Sequence, residues 1–310
     1  VWEQPRTPVL EVVPGTTGLS AASCGQCHTE IYAEWRASTH AAAWTDPQFQ
    51  GEIDKDPAVA WMCRNCHTPL ANQQPRRVTQ PGVVRGPRTV ANPAFDEALQ
   101  DEGITCLSCH WRPEGLAGPH PDVQAPHPVV YEPDFRGTEL CTSCHQAVAT
   151  LEDALVCNFN TGAEWESANE AQTCTSCHMP TVHRAAAPGA PVREGGRHLW
   201  LGGLPPKGAV TESVQAFVEA AQPGYAVTID APATATPGAP VRVEARLTHQ
   251  GAGHRVPTGD PERHLMVAVG VIAADGTVLG AGEYRIGQQW VWQPVAHKRG
   301  DNRLSPGETR

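Results

Sequence analysis

The sequence predicts a multidomain protein, in which a mainly α-helical and irregular domain is followed by an all-β domain with an immunoglobulin-like sandwich fold. Three observations lead to this prediction. Five Cys-x-x-Cys-His motifs lie between residues 24 and 178, proline-rich connections separate some of them, and strand-like segments begin at residue 225. The 310 residues suffice for about two domains. We expect a motif-containing domain over residues 1–205, a connecting helix within residues 206–223 and the β domain over residues 224–310.

The overall charge and hydropathy exclude several function classes. The chain has 23 Lys and Arg residues against 33 Asp and Glu residues, a formal charge of −10. This argues against nucleic acid or an anionic membrane surface as a partner, because both attract basic patches. The longest apolar run, at residues 265–274, is much shorter than the ~20 residues of a membrane helix. We therefore expect no membrane span.

The first residue is Val1 rather than Met. A mature exported protein, periplasmic or extracellular and with its signal peptide removed, would begin in this way, but so would a shortened chain. We expect the exported protein.

The five motifs use ten of the 11 cysteines, and a histidine follows each pair directly. The pairs are Cys24 and Cys27, Cys63 and Cys66, Cys106 and Cys109, Cys141 and Cys144, and Cys174 and Cys177, and the histidines are His28, His67, His110, His145 and His178. Two thiols with this spacing add to the two vinyl groups of one porphyrin, and the histidine ligates the iron. We predict five covalently attached c-type haems.

Two alternative uses of such cysteines explain the pattern less well. A structural zinc site takes two Cys-x-x-Cys pairs and has no need of a histidine after each pair. A disulfide framework would leave the five histidines unexplained. The odd cysteine, Cys157, has two interpretations, a small buried apolar residue or a reactive thiol that links two chains.

The segments between and after the motifs predict the remaining elements in order. The proline-rich residues 75–93 and 113–133 indicate long loops. The triplet Ala33-Glu34-Trp35 is repeated at residues 163–165, and both copies are predicted helices. Apolar residues at helical spacing predict the connecting helix over residues 209–221.

Residues 225–229, 241–247 and 265–272 alternate like strands, and Asp275-Gly276 indicates a hairpin turn. Several short strands joined by turns are typical of an antiparallel sandwich. Residues 304–310 form a predicted turn that leads towards another strand, so we expect the β domain to be incomplete at Arg310.

Nine further histidines are available as sixth iron ligands. His40 precedes three small alanines, His198 follows Gly195 and Gly196, and His254 lies in a glycine-rich loop of the β segment. The other candidates are His120 and His127, which both precede proline, and His183, which follows the fifth motif. His249, His264 and His297 are expected to have ordinary structural roles. The few methionines favour bis-histidine ligation at most irons.

Several segments together resemble one cytochrome family. Residues 24–40, Cys-Gly-Gln-Cys-His-Thr-Glu-Ile-Tyr-Ala-Glu-Trp-Arg-Ala-Ser-Thr-His, resemble the opening of multihaem cytochromes related to the tetrahaem cytochrome of nitrifying bacteria, in the superfamily associated with hydroxylamine oxidoreductase. Further matches are Cys-Arg-Asn-Cys-His-Thr-Pro at residues 63–69, Gly-Ile-Thr-Cys-Leu-Ser-Cys-His at 103–110, and Glu-Trp at 164–165 ahead of Cys-Thr-Ser-Cys-His-Met-Pro at 174–180.

The resemblance covers about residues 24–203 and implies closely packed, mostly bis-histidine haems in an exported protein. It supports His40 and His198 as ligands. The loop at 251–259 resembles a loop in β domains of some of these cytochromes, which supports His254. A fifth motif and the β segment distinguish this chain from the nitrifier protein.

The sequence thus predicts an electron carrier rather than an enzyme. Its acidic surface favours weak, steered encounters with basic redox partner proteins. One alternative is a subunit of an extracellular cytochrome filament or larger redox complex, in which the β domain mediates assembly or homo-oligomers. The other alternative is an oxidoreductase that acts on a small nitrogen or sulfur compound at a five-coordinate haem.

Overall fold

A computed structural model describes residues 4–80, 82–150, 155–168, 172–202 and 206–310. The contacts divide the chain into two compact units. Unit 1 comprises Val1–Leu140 and Cys174–Ala221, and unit 2 comprises Cys141–Thr173 and Gln222–Arg310. The expected domain end at residue 205 lies outside the described residues, and the predicted boundaries stay a prediction. The units differ from them in one respect, because Cys141–Thr173 belongs with the C-terminal strands.

The described residues form short helices and small sheets. The helices are α1 Ala21–Gly25, α2 Thr29–Ala37, α3 Pro47–Lys55, α4 Ala60–His67, α5 Glu97–Asp101, α6 Cys106–His110, α7 Thr138–His145, α8 Thr161–Ser167, α9 Cys174–His178 and α10 Glu212–Ala220. The strands are β1 Arg76–Val78, β2 Thr89–Ala91, β3 Trp111–Arg112, β4 Gly115–Gly118, β5 Val129–Tyr131, β6 Gln146–Thr150, β7 Leu155–Asn160, β8 Thr181–Ala185, β9 Val192–Gly196, β10 Tyr225–Asp230, β11 Glu244–His249, β12 His264–Ile272, β13 Val278–Val291 and β14 His297–Asp301.

Four of the described helices end within a Cys-x-x-Cys-His motif. Helices α4, α6, α7 and α9 each end at the histidine of a motif, and His28 is the N-cap residue of α2. One helical turn brings the two cysteines of a motif to the same side, with the histidine directly after them. In the second to fifth motifs, the helical conformation therefore places the three predicted haem-binding side chains together.

Unit 1 has a small apolar core. Leu10, Leu70, Leu99 and Leu107 are buried together, and the fully buried Gln73 amide donates hydrogen bonds to the carbonyl oxygens of Leu99 and Gly103. The sheets β1–β2, β3–β4–β5 and β8–β9 have two or three short strands each. Such elements bury little apolar surface by themselves, which is consistent with an interior completed by large prosthetic groups.

Unit 2 combines helix α8 with antiparallel strands. Strand β6 pairs with β7, β10 with β11, and β12, β13 and β14 form a three-stranded sheet. Leu247, Ile286 and Leu304 form its core. The C-terminal residues pair with this core, because Leu304 exchanges backbone hydrogen bonds with Val256 and Arg310 does so with Leu247.

The structure confirms the predicted connecting helix as α10 and the three predicted strand segments as β10, β11 and β12. Asp275-Gly276 is a turn between β12 and β13, as expected. The immunoglobulin-like sandwich stays a prediction, because the described C-terminal strands form separate sheets of two and three strands. Within the described part of the chain, no helix combines the length and apolar character that a membrane span requires.

The carboxylate of Asp301, at the end of β14, predicts an acid-sensitive step in the stability of unit 2. Burial disfavours its charged form, but two 2.9 Å hydrogen bonds from the Arg303 guanidinium outweigh this effect and lower the pKa of Asp301 to about 2. An unfolded Asp has a pKa of about 3.9. The folded state therefore binds this proton less tightly, and its stabilisation is complete above pH ~4 and lost as the pH falls towards 2.

We expect hydrogen exchange of the β14 backbone amides to accelerate over this pH range, after correction for the intrinsic exchange rates. The Asp301→Asn variant should lack this additional acceleration. An equal pH dependence in both proteins would contradict the assignment.

Candidate functional site

Four motif histidines share one hydrogen-bonding arrangement. The Nδ1 atom of each lies within hydrogen-bond distance of a backbone carbonyl oxygen from another part of unit 1. The pairs are His28 and Ala186 at 2.8 Å, His67 and Ala43 at 2.8 Å, His110 and Ala117 at 2.7 Å, and His178 and Leu201 at 2.6 Å. A carbonyl oxygen only accepts, so Nδ1 carries the proton and donates it. In the neutral ring, the lone pair of Nε2 is then available for a metal ion.

Two of these histidines face a second histidine across a gap. The ring centroids of His28 and His127 are 6.4 Å apart, and those of His110 and His198 are 6.3 Å apart. Two imidazoles on opposite sides of one metal ion, each with its nitrogen about 2 Å from the metal, place their centroids about 6 Å apart. Both pairs therefore fit the two axial ligands of one haem iron.

The His110–His198 pair is partly buried. Burial, together with the neighbouring His110 imidazole, lowers the pKa of His198 to about 4. Burial also lowers the pKa of His110. The Nδ1 atom of His198 donates a 2.9 Å hydrogen bond to the carbonyl oxygen of Gly196. Both rings are thus neutral near pH 7, which is the form that ligates a metal ion.

A buried carboxylate fixes the backbone at His198. Glu34 of α2 is 3% exposed, and its oxygens accept hydrogen bonds from the backbone N–H of His198 at 2.8 Å, from Arg197 at 2.8 Å and from Arg184 at 2.7 and 2.8 Å. Burial opposes the charged form of Glu34, but these donors prevail and lower its pKa. Glu34 is therefore a carboxylate at neutral pH.

The predicted attachment cysteines differ in their exposure to solvent. Cys27 and Cys177, the second cysteines of the first and fifth motifs, are exposed, whereas Cys66 and Cys109, the second cysteines of the second and third motifs, are partly buried. The other motif cysteines are also partly buried, namely Cys24, Cys63, Cys106, Cys141, Cys144 and Cys174. Attachment of haem through these ten cysteines stays a prediction.

The thiols of the first and third motifs are neighbours. A hydrogen bond with Cys106 lowers the pKa of the Cys24 thiol, and the same contact raises that of Cys106. The odd cysteine, Cys157, is partly buried in β7. No three His, Cys, Asp or Glu side chains in the described ranges converge as a structural zinc site requires.

Three buried polar atoms without a partner in the described structure lie close to the motifs in sequence. They are Nε of Arg64, Oγ1 of Thr105 and Nη2 of Arg136. Arg64 is inside the second motif, Thr105 directly precedes the third, and Arg136 precedes the fourth. Each is a hydrogen-bond donor, and a haem carries carboxylate groups that accept such bonds. These atoms therefore also fit a bound haem.

The other candidate ligands of unit 1 are placed differently. His40 packs against Trp200, with ring centroids 4.6 Å apart. The Nε2 atom of His120 is 2.8 Å from the carbonyl oxygen of Glu194 and donates to it, and His183 is exposed in β8. In the described structure, the ring of neither His120 nor His183 faces a motif histidine. Of the two histidines that precede proline, the geometry thus favours His127.

Unit 2 contains the fourth motif and His254. His145 is exposed at the end of α7, and His254 is partly buried in the loop between β11 and β12. The Nδ1 atom of His254 donates to the carbonyl oxygen of Arg255 at 2.9 Å. The buried His249 donates from Nε2 to the carbonyl oxygen of His254 at 2.8 Å, so it supports the loop, as expected for a structural histidine.

The sequence reasoning missed the buried carboxylates Glu34 and Glu164. Both lie in the repeated Ala-Glu-Trp triplet, which was visible in the sequence without a reason for its repetition. The distant arginines that bind these carboxylates leave no local signal. The repeat itself was therefore the signal that could have identified them.

Residues 23–111 match the protein family described as "Cytochrome c554 and c-prime". The matched segment includes the first three motifs. No curated protein and no solved structure matches the chain significantly. The match supports a c-type cytochrome domain in the N-terminal part of the chain, with covalently bound haem c. It does not extend to the fourth and fifth motifs or to the C-terminal strands.

Proposed function

We propose that the protein is a pentahaem c-type cytochrome that transfers electrons through closely packed, mostly bis-histidine haems. The observation that carries this proposal is the shared hydrogen bond from Nδ1 of four motif histidines to backbone carbonyl oxygens. It leaves Nε2 of each ring for iron, next to two thiols with the spacing of haem attachment.

The chain's own residues would hold each haem in the same way. The ten motif cysteines provide thioether links, and the five motif histidines provide one axial ligand each. His127 and His198 are the sixth ligands that the ring distances favour for the first and third haems. His40 and His120 are candidates for other irons in unit 1, and His254 is the candidate for the fourth haem. The exposed His183 is assigned to no iron. When bound, the haem irons accept and release single electrons.

The residues around the sites would hold the ligands in a fixed orientation. The Nδ1–carbonyl bonds hold the tautomer and the ring orientation, and partial burial of the His110–His198 pair limits its contact with water. The contact between Cys24 and Cys106 supports a close pair of haems at the first and third motifs. Short separations between such centres are what rapid electron transfer requires.

The proposed setting is the periplasm or the cell exterior, with redox proteins as partners. The net charge of −10 favours weak docking to a basic partner. The strands of unit 2 are the part we propose for assembly, either between copies of the chain or in a larger redox complex. Catalysis at a five-coordinate haem is the competing proposal, and a high-spin ferric signal in the wild-type protein would favour it.

Haem stoichiometry tests the proposal directly. We expect a pyridine haemochrome assay, normalised to protein by amino-acid analysis, to return five haems per chain. The double substitution Cys141→Ala and Cys144→Ala should reduce the value to four, because the fourth haem loses both thioether links. Cys157→Ala is the matched control and should retain five. A wild-type value of four or fewer would refute the pentahaem assignment.

A further inference from the structure

The repeated triplet Ala-Glu-Trp has the same structural role in both units. It forms part of α2 in unit 1 and of α8 in unit 2, and both glutamates are buried, Glu34 at 3% and Glu164 at 9% exposure. In each unit the carboxylate binds residues that come from far along the chain. A buried carboxylate is costly unless it is fully hydrogen-bonded, so its partners are held firmly.

In unit 1 those partners include a candidate ligand itself. Glu34 accepts the backbone N–H of His198 and a side-chain N–H of Arg197, each at 2.8 Å. The ring of His198 faces His110 at 6.3 Å. Glu34 therefore fixes the backbone from which the facing imidazole projects. Arg184 binds the same carboxylate without contacting His198 in this network.

In unit 2 the second carboxylate holds the loop that carries His254. Glu164 accepts the Thr258 hydroxyl at 2.7 Å and a guanidinium N–H of Arg303 at 2.7 Å. The loop also lies against the neighbouring Trp165, since a Cβ atom added to Gly253 would be 3.1 Å from its Cδ1. Helix α8 thus contacts the loop on both sides of His254.

The same helix lies against the fourth motif. A Cβ atom at Gly162 of α8 would be 2.9 Å from Cγ2 of Thr142, which lies between Cys141 and Cys144. One short helix therefore contacts the motif through Gly162 and the His254 loop through Glu164 and Trp165.

We propose that Glu34 and Glu164 are equivalent positioning residues, which hold His198 and His254 as sixth ligands of the third and fourth haems. Unit 2 then forms a haem site on the same plan as unit 1, with its ligand loop supplied by the C-terminal strands. This inference rests on the proposed function. The alternative is that the two buried carboxylates only stabilise the fold. The spin state of the haem irons distinguishes this role from the positioning role.

The test uses electron paramagnetic resonance of the ferric, fully haem-loaded protein. Glu34→Gln and Glu164→Gln should each retain five haems and convert one of the five from low spin to high spin, and the double variant should convert two. Added imidazole should restore the low-spin signal by occupying the vacated position. The His198→Ala and His254→Ala variants provide the reference spectra for each loss.

Matched controls lie on the same helices. Glu30→Gln changes a 74% exposed carboxylate that is 3.6 Å from the same Arg184, and Glu166→Gln changes an exposed residue of α8. Both should remain low-spin. Arg184→Gln removes an ion pair of Glu34 but leaves its bond to His198, so it should also remain low-spin. A high-spin signal in Arg184→Gln would indicate that general stability, not positioning, governs ligation.

The outcomes separate the inference from the proposed function. A wild-type protein without five haems refutes the proposed function. Five haems with unchanged low-spin spectra in both Gln variants refute the inference alone. If a Gln variant fails to accumulate, Glu34→Asp and Glu164→Asp take its place. The Asp variants keep the negative charge, but their side chain is one methylene shorter, so the carboxylate oxygens no longer reach their partners. An unchanged low-spin spectrum in these variants also refutes the inference.

Discussion

Replacing His198 by alanine is expected to convert one of the five ferric haems from low spin to high spin, without loss of covalent haem. The ring centroid of His198 lies 6.3 Å from that of His110 in a partly buried site, and alanine has no nitrogen to ligate iron. The other four haems keep their ligands, so the high-spin signal should integrate to about a fifth of the iron. Electron paramagnetic resonance and carbon monoxide binding to the reduced protein measure this fraction.

His183→Ala is the matched control for this substitution. His183 lies in β8, which pairs with β9, and it is exposed to solvent. Its removal should leave every haem low-spin. A high-spin haem in His183→Ala, together with an unchanged spectrum in His198→Ala, would mean that His183 rather than His198 is the sixth ligand.

Replacing Arg303 by leucine is expected to destabilise unit 2 by about 3–5 kcal/mol, because it leaves the buried Glu164 carboxylate without a cation. Arg303 is 6% exposed and binds Glu164 at 2.7 Å and Asp301 at 2.9 Å. Asp301 keeps Arg255 and Lys298 as ion-pair partners, whereas the remaining charge of Glu164 stays desolvated. Hydrogen exchange of the β11 and β14 amides should accelerate about 100- to 5,000-fold if they open with the unit.

Arg299→Leu, in the preceding strand β14, is the control for this effect. Arg299 is exposed, and substitutions at exposed sites away from such networks usually change stability by less than about 0.5 kcal/mol. Equal acceleration in both variants would mean that the Arg303 network contributes nothing specific to unit 2.

The cofactor and the proximal histidines can be proposed from the sequence because their signal is local. Two cysteines and a histidine within five consecutive residues predict a site of haem attachment. The sixth ligands are harder, because they come from distant segments. His198 and His127 were candidates among nine histidines, and only the folded chain brings them opposite His110 and His28.

The C-terminal strands show the same contrast. β12 alternates between exposed and partly buried residues, so its period of two was visible in the sequence. β13 was not predicted, because Gly280, Gly282 and Gly287 interrupt its pattern. The grouping of Cys141–Thr173 with the C-terminal residues depends on long-range contacts, such as that between Glu164 and Arg303, which no local pattern reports.

The charged residues around Glu34 affect the reduction potential of the haem that we propose His198 ligates. Two guanidinium groups, from Arg184 and Arg197, meet the buried Glu34 carboxylate, and the exposed Glu30 carboxylate lies 3.6 Å from Arg184. A positive charge beside an iron centre disfavours its oxidised form and raises its reduction potential. Because Glu34 cancels one of the two cations, the carboxylate that positions His198 also keeps the midpoint potential of that haem lower than the arginines alone would set it.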